Sequence, residues 1–220
     1  MIILYGSNGS PFVSRVRMLA YVKEIPIELR PAALGTPEYQ RMNPLNKMPV
    51  LEHDGFFVPE SAVICEYLEE AFPSPSVLGT DIRERARVRL VARTVDLYLS
   101  GVFELLRAAA DPSFKVDVTA KRAELNRGLD ALETFLADEG DFALGDKLSL
   151  ADCALVPWLF YGNMLTASGD DSLTRRPKIA RYAAKIGEFD LAKRIWGDMD
   201  EAFRAFMTRW KAEQAASKAG

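Results

Sequence analysis

The sequence predicts an α/β domain in the order β-α-β, connector, β-β-α, followed by an all-α helical-bundle domain. Three observations predict it. A strand-helix-strand pattern opens the chain, an Asp54-Gly55 hairpin signal follows, and no convincing strand appears beyond a linker at 72–82. At 220 residues the chain suits one compact domain plus a modest second one. The two domains are expected at residues 1–76 and 83–220.

Ile2 to Tyr5 is a short apolar run, and Gly6 to Ser10 is a loop of small residues. Pro11 suits a first helical position, where a missing N–H removes no bond. Phe12, Val13, Val16, Leu19 and Ala20 then recur at helical spacing until Pro26, and Ile27 to Arg30 reads as a second strand. Strand, helix and strand in this order pack as a right-handed crossover. Gly35 to Asn43 reads as irregular. Val50-Leu51-Glu52 and Phe56-Phe57-Val58 flank Asp54-Gly55, a strong hairpin signal. A helix is expected from Ser61, with Val63, Ile64, Tyr67, Leu68 and Ala71 on one face.

The stretch FPSPSVLGTDI, with two prolines, two serines and a glycine, marks the linker. Beyond it, helical patterns run over 83–110, 119–137, 150–165, 177–186 and 198–214, with a frayed tail from Lys218 to Gly220. Ser149 is an N-cap with Asp152 at the capping-box position and Leu148 and Cys153 as hydrophobic staple.

Composition excludes several functions. Apolar residues make up 49% and charged residues 27%, ordinary for a globular chain. A formal charge of −3 leaves no footprint for nucleic acid or an anionic membrane. No stretch approaches the roughly 20 apolar residues of a membrane span, and the N-terminus reads as a strand rather than a signal peptide. A cytoplasmic location is expected. Cys65 and Cys153 lie in apolar helical patterns and read as buried small hydrophobes, in keeping with a reducing compartment. His53 is the sole histidine, which argues against a His-based triad and a histidine-rich metal site, so no metal is expected.

Three features could carry chemistry. The first is the helix opened by Ser10-Pro11, whose N-terminal N–H groups favour an anion and whose serine could donate one more hydrogen bond. Taken alone, Ser10 reads first as an ordinary N-cap. The second is NPLNKMPV, residues 43–50. A cis bond at Pro49 would leave the backbone of Met48 open to an extended peptide, whereas an ordinary trans proline starting a strand has the better base rate. The third is Pro59-Glu60-Ser61 opening a helix. Its carboxylate, hydroxyl and helix N–H groups suit an amino-acid head group, and equally suit a plain capped helix.

In this order and spacing, LYGSNGSPFVSRVRM, NPLNKMPVL and PESAVICEYLE resemble the N-terminal domain of the cytosolic glutathione transferase superfamily. SLADCALVPW resembles the capping motif of that family's helical domain, so the likeness spans nearly the whole chain. The resemblance implies a thioredoxin-like first domain that binds glutathione and a second domain contributing a pocket for the electrophile. It places Ser10 at the activating position of the serine and cysteine classes, in a setting similar to the zeta and omega patterns. Phe12 lies beside it among the expected glutathione contacts. Lys47 matches the contact to the glycine carboxylate, and Met48 the backbone pair for the cysteinyl unit. Pro49 matches the cis proline, and Glu60 with Ser61 the γ-glutamyl anchor. Ser7 and Ser14 are rivals to Ser10, with Ser14 a turn too far along; Tyr5 ends its strand and reads as structural. Met48 replaces the common valine, and Asn46 the usual glycine. Pro11 and Phe12 stand where the zeta signature has its second serine and its cysteine, which points away from a maleylacetoacetate isomerase.

The implied chemistry is thiolate activation. A free thiol with a pKa near 8.5 is mostly protonated at neutral pH, and a hydroxyl donor plus a helix terminus stabilises the thiolate selectively. The leading expectation is therefore a transferase attaching glutathione to a small hydrophobic electrophile. A glutathione-dependent isomerase, dehalogenase or β-etherase is the alternative, and a non-catalytic adaptor comes from another class. Retention of Lys47, Glu60 and Ser61 argues against the adaptor. Tyr98, Phe103, Leu106, Trp158 and Tyr161 are available to the second substrate, although such aromatic stripes are more often core. Arg85, Arg87, Arg89 and Arg93 read as a solvated or subunit-facing surface. Family likeness implies a homodimer.

Overall fold

A computed structural model describes residues 1–111 and 113–219. Among them the strands are β1 (Ile2–Tyr5), β2 (Ile27–Arg30), β3 (Val50–His53) and β4 (Phe56–Pro59). The helices are α1 (Pro11–Val22), α2 (Pro37–Met42), α3 (Ser61–Ala71), α4 (Ile82–Tyr98), α5 (Gly101–Ala110), α6 (Val118–Phe135), α7 (Leu150–Ala167), α8 (Pro177–Gly187) and α9 (Asp190–Ala219). The chain divides into two compact units, Met1–Leu68 with Lys193–Gly220, and Glu69–Ala192.

The first unit is built on a four-stranded sheet in the order β2-β1-β3-β4. Strand β1 runs parallel to β2 and antiparallel to β3, and β3 pairs antiparallel with β4. Central β1 is apolar on both faces, and Ile2, Ile3 and Leu4 are all buried, as an interior strand requires. The β3–β4 hairpin turns at Asp54 and Gly55, whose φ angles of 49° and 85° are the pair that a two-residue turn needs. Helix α1 buries Val13, Val16, Met18 and Leu19. It stops before Pro26 in a Schellman turn: Glu24 takes φ 55°, and the Ile25 N–H donates to the Ala20 carbonyl at 2.9 Å.

Three element assignments differ from the sequence reading. The stretch taken as irregular contains α2, capped by the Thr36 hydroxyl, which accepts from the Tyr39 N–H at 3.2 Å. Thr-Pro-Glu at 36–38 is an N-cap, an N1 proline and a first-turn acid, a short signal that a search for apolar periodicity passes over. The single helix expected over 83–110 is two helices broken at Leu99 and Ser100. The break comes from packing. A Cβ on Gly128 of α6 would lie 2.5 Å from the Tyr98 carbonyl oxygen, and the Trp158 indole donates to the Leu99 carbonyl at 2.9 Å. Helix α9 starts eight residues earlier than the expected 198 and continues through the tail expected to fray, as far as Ala219; Gly220 lies outside the described residues. Gly197, inside the helix, costs about 1 kcal/mol relative to alanine. Full burial of Ile195 and Met199 outweighs it.

In the second unit α7 is buried nearly all round from Leu150 to Leu159, and α4 and α5 each pack on both α6 and α7. Its N-terminus is held by Asp152, whose carboxylate accepts from the Ala143 N–H at 2.8 Å, the Ser149 N–H at 2.8 Å, the Ser149 hydroxyl at 2.9 Å and the Tyr182 hydroxyl at 3.0 Å. Burial pushes this carboxyl above the usual range against the pull of those four donors. Cys65 and Cys153 are both fully buried outside any disulfide. Among the described residues no helix is long and apolar enough to cross a membrane.

Removing the Asp152 carboxylate leaves four buried donors unpaired. We expect Asp152→Ala to lower unfolding free energy by about 3 kcal/mol or more, and Tyr182→Phe by about 1 kcal/mol, in urea titrations. A loss below 1 kcal/mol for Asp152→Ala would show the network to be dispensable.

Candidate functional site

Sheet register brings the three candidate segments to one end of the sheet. Tyr5 pairs with Val50, and Val50 pairs with Pro59. The 6–10 loop leaves from Tyr5, Met48-Pro49 leads into Val50, and Glu60-Ser61 leaves from Pro59. With neighbouring strands about 4.8 Å apart, the three segments start within roughly 10 Å of one another.

The β1–α1 loop is tightly specified. A Cβ on Gly6 would sit 2.4 Å from Val13 Cγ2, so only glycine fits there. The Ser10 N–H donates to the Ser7 carbonyl at 3.0 Å, closing the loop. Ser10 is the N-cap of α1, with its Oγ accepting a long 3.4 Å bond from the Val13 N–H. That bond uses an acceptor position, and among the described residues the hydroxyl proton has no other claimant. Its rivals are differently placed. Ser7 is exposed and accepts from the Gly9 N–H at 3.4 Å. Ser14 is fully buried and donates to the Asn8 carbonyl at 2.9 Å. Tyr5 donates its phenol proton to Glu52 at 2.7 Å, and that carboxylate raises the phenol's pKa. Phe12 lies in the first turn, 37% exposed, with the Arg15 guanidinium 5.9 Å from its ring centre.

The Met48–Pro49 bond is cis. Pro49 is buried, and among the described residues the Met48 N–H and C=O have no hydrogen-bond partner. The segment before them is pinned at the Lys47 carbonyl, which accepts from the Tyr39 hydroxyl at 3.0 Å and the Asn43 amide at 2.8 Å. Asn46 adopts φ 52°, the left-handed region that asparagine tolerates best after glycine, so it fills the place of the usual glycine. Its Oδ1 also accepts from the Gly35 N–H at 2.8 Å. The Lys47 side chain is exposed.

Glu60 caps α3 through its carbonyl, which accepts from the Ile64 N–H at 2.8 Å. Its φ is 71° although it is not glycine, and its carboxylate is exposed. Ser61 follows at the first helical position, 7% exposed. Of the residues offered to a second substrate, Trp158 is core, and Phe103 meets Tyr161 edge to face at 5.1 Å. Burial pushes the Tyr161 phenol up to about 12. Tyr98 is 52% exposed, and the four arginines at 85, 87, 89 and 93 are all exposed.

Residues that sequence reasoning passed over hold these segments in place. Tyr39 and Asn43 fix the carbonyl of Lys47, while Asn8 and Arg17 brace the serine loop: Arg17 donates to Asn8 Oδ1 at 2.7 Å. Thr36-Pro37 was the available signal for Tyr39. Nothing in the sequence pairs Asn8 with Arg17.

Comparison with known proteins agrees with this architecture. Residues 4–76 match the glutathione S-transferase N-terminal domain, and residues 115–185 match the glutathione S-transferase C-terminal domain. A Drosophila melanogaster protein named probable maleylacetoacetate isomerase 1 is 33% identical over 202 residues, covering 87% of this chain and 79% of that one. The maleylacetoacetate isomerase of Pseudomonas aeruginosa is 33% identical over 193 residues, covering 82% and 88%. A holo structure of maleyl pyruvate isomerase, described as a bacterial zeta-class glutathione S-transferase, superposes with a TM-score of 0.70 at 30% identity over 88% of this chain and 95% of that one. The chain belongs to the glutathione S-transferase family. It is an enzyme-type member of that family, whose relatives use glutathione.

Tyr39 yields a pH prediction. Burial pushes its phenol up to about 12. The folded chain keeps the proton while the unfolded chain sheds it near pH 10, so the contribution is intact below about pH 10 and lost as pH climbs towards 12. We expect Tyr39→Phe to cost about 1 kcal/mol at pH 8 and to shallow the fall in urea-unfolding stability between pH 10 and 12. An unchanged alkaline limb would show that this phenol does not govern it.

Proposed function

We propose that the protein is a glutathione-dependent cis–trans isomerase acting on a maleyl-type substrate, an activated cis double bond flanked by carboxylate and carbonyl groups. The sequence alone favoured conjugation to a hydrophobic electrophile. Near-full-length likeness to several isomerases shifts the balance to the alternative. The observation that carries the reading is the meeting of three features at one sheet end: the Ser10 hydroxyl at a helix N-terminus, the Met48 backbone that has no partner among the described residues, and the start of α3 at Glu60 and Ser61.

Those features fit a γ-glutamyl tripeptide. Met48 offers one N–H and one C=O to an extended peptide, as an added strand would. The Glu60 carboxylate suits an ammonium, the Ser61 hydroxyl at the start of α3 suits an α-carboxylate, and Lys47 suits the carboxylate at the far end. A non-glycine residue at positive φ costs about 1–2 kcal/mol, which supports a functional reason for a side chain at position 60. When bound, glutathione supplies a thiol that adds reversibly to the activated double bond and leaves again, so rotation occurs in between and the cofactor is recovered. The role of Ser10 is to donate its hydroxyl proton in a hydrogen bond to the sulfur while its oxygen stays on the Val13 N–H. Pro11 and Phe12, in place of the second serine and the cysteine of the zeta signature, leave Ser10 as the hydroxyl donor at that helix start. The same departure favours a second reading, simple conjugation. A homodimer in the cytoplasm belongs to either reading.

Recovery of thiol separates the two. Incubated with a maleyl-type enedioate and substoichiometric glutathione, the enzyme should convert many equivalents to the trans product with the thiol fully titratable at the end. Accumulated thioether would instead identify a conjugating transferase. Ser10→Ala should raise the bound thiol's pKa towards 8.5 and cut turnover about 100-fold, with glutathione affinity within about threefold. If ultraviolet titration of the thiolate finds the pKa unmoved, Ser10 is a cap and nothing more. Glu60→Gln should weaken glutathione binding about tenfold by calorimetry, equivalent to about 1.4 kcal/mol.

A further inference from the structure

Helix α9 returns to the first unit and runs antiparallel along α1, from its C-terminal end towards the serine loop. The Arg194 guanidinium stacks 3.9 Å from the Tyr21 ring centre. One turn on, Asp198 Oδ2 accepts from Arg17 Nη1 at 2.9 Å. A further turn on, the Ala202 Cβ lies 3.6 Å from where a Gly9 Cβ would stand. Residues 194, 198 and 202 are four apart and share one face of α9, while Ser14, Arg17 and Tyr21 share one face of α1. At its loop end this seam grips Asn8 twice, through Ser14 Oγ on the carbonyl at 2.9 Å and Arg17 Nη1 on Oδ1 at 2.7 Å. Arg17 also donates to the Tyr21 hydroxyl.

We propose that Arg17 and Asp198 are positioning residues: through Asn8 they make the C-terminal helix set where the Ser10 hydroxyl stands. The proposal rests on the reading of Ser10 as thiolate donor. Asn8 is two residues from Ser10 in a closed loop, so a shift at Asn8 is passed on to the cap. The pair is well placed to transmit register, because its side chains are only 14% and 31% exposed and Arg17 Nη1 reaches Asn8 and Asp198 at once. Of the expected glutathione contacts only Phe12 lies on α1; Lys47, Met48, Glu60 and Ser61 lie on other segments, so disturbing the seam should alter thiol activation and leave most of the tripeptide's affinity in place.

The experiment compares wild type, Asp198→Asn, Asp198→Glu and Ala202→Leu in the full-length enzyme. It measures glutathione affinity by calorimetry, the bound thiol's pKa by ultraviolet titration, and kcat and KM. We expect Asp198→Asn, and independently Ala202→Leu pressing on Gly9, to raise the thiol pKa by about half a unit to one unit and lower kcat about five- to tenfold, with affinity within about threefold. Asp198→Glu should restore most of the loss. Circular dichroism and melting temperature check that each variant is folded; should Ala202→Leu fail to fold, the asparagine and glutamate pair carries the test. A wild-type enzyme that depresses the thiol pKa, with folded variants that depress it equally, overturns the positioning role alone. A wild-type enzyme that leaves the bound thiol at its free value overturns the functional reading, and this proposal with it.

Discussion

The row Tyr5–Val50–Pro59 across the sheet is the constraint on which the candidate site depends. One row inward, Leu4, Leu51 and Val58 face each other and are 0%, 0% and 6% exposed. Burying side chains of this size is worth about 1.5–3 kcal/mol each. A slip of one residue would turn all three to the opposite face, and the same slip would separate the serine loop from Met48 and Glu60. The apolar row therefore holds the polar row in place, and the Asp54-Gly55 turn fixes the hairpin between them. Site geometry here is a by-product of core packing on the adjacent row.

Within that frame the N-cap role of Ser10 and the activating role proposed for it do not compete. As N-cap it supplies an acceptor to the Val13 N–H, a contribution of about 1 kcal/mol to the helix. A hydroxyl has one proton and two acceptor positions, so the cap leaves the donor side available. The helix N-terminus adds a field of the same sign as that proton, and both favour the charged form of a thiol over the neutral one. An ordinary cap and the proposed activating group would thus share one conformation, and local sequence cannot tell them apart.

Legibility in the sequence followed the range of the interactions. The Asp-Gly turn, the Ser10-Pro11 helix start and the Ser149/Asp152 cap each lie within a few residues, and each was visible. The cis bond at Pro49 carries no local signature strong enough to overcome its base rate, and it was reached only through likeness to other proteins. The break between α4 and α5 depends on Gly128 and Trp158, at least 29 residues away in the chain, acting on backbone atoms of Tyr98 and Leu99. No periodicity in 83–110 encodes it. The start of α9 at Asp190 puts Gly197 in a helix interior, where burial of Ile195 and Met199, a tertiary effect, overrides its low helix propensity. Asn8 and Arg17 are unremarkable polar residues until folding brings α9 alongside.

The arrangement separates two tasks that a single cluster would have confounded. Affinity for a tripeptide would come from groups on the β3 and α3 starts, held by Tyr39, Asn43 and the sheet. Activation of a sulfur would come from a loop held by α1 and α9. Contacts that act equally on bound substrate and transition state improve binding alone, whereas a donor aimed at developing or resident negative charge raises the rate. With the two sets on different supports, loop geometry can change without loss of the tripeptide's anchors. On the proposed reading, residues at the start of α1 such as Pro11 and Phe12 can depart from the zeta pattern while Tyr39, Asn43 and the sheet still hold the Met48 and Glu60 segments.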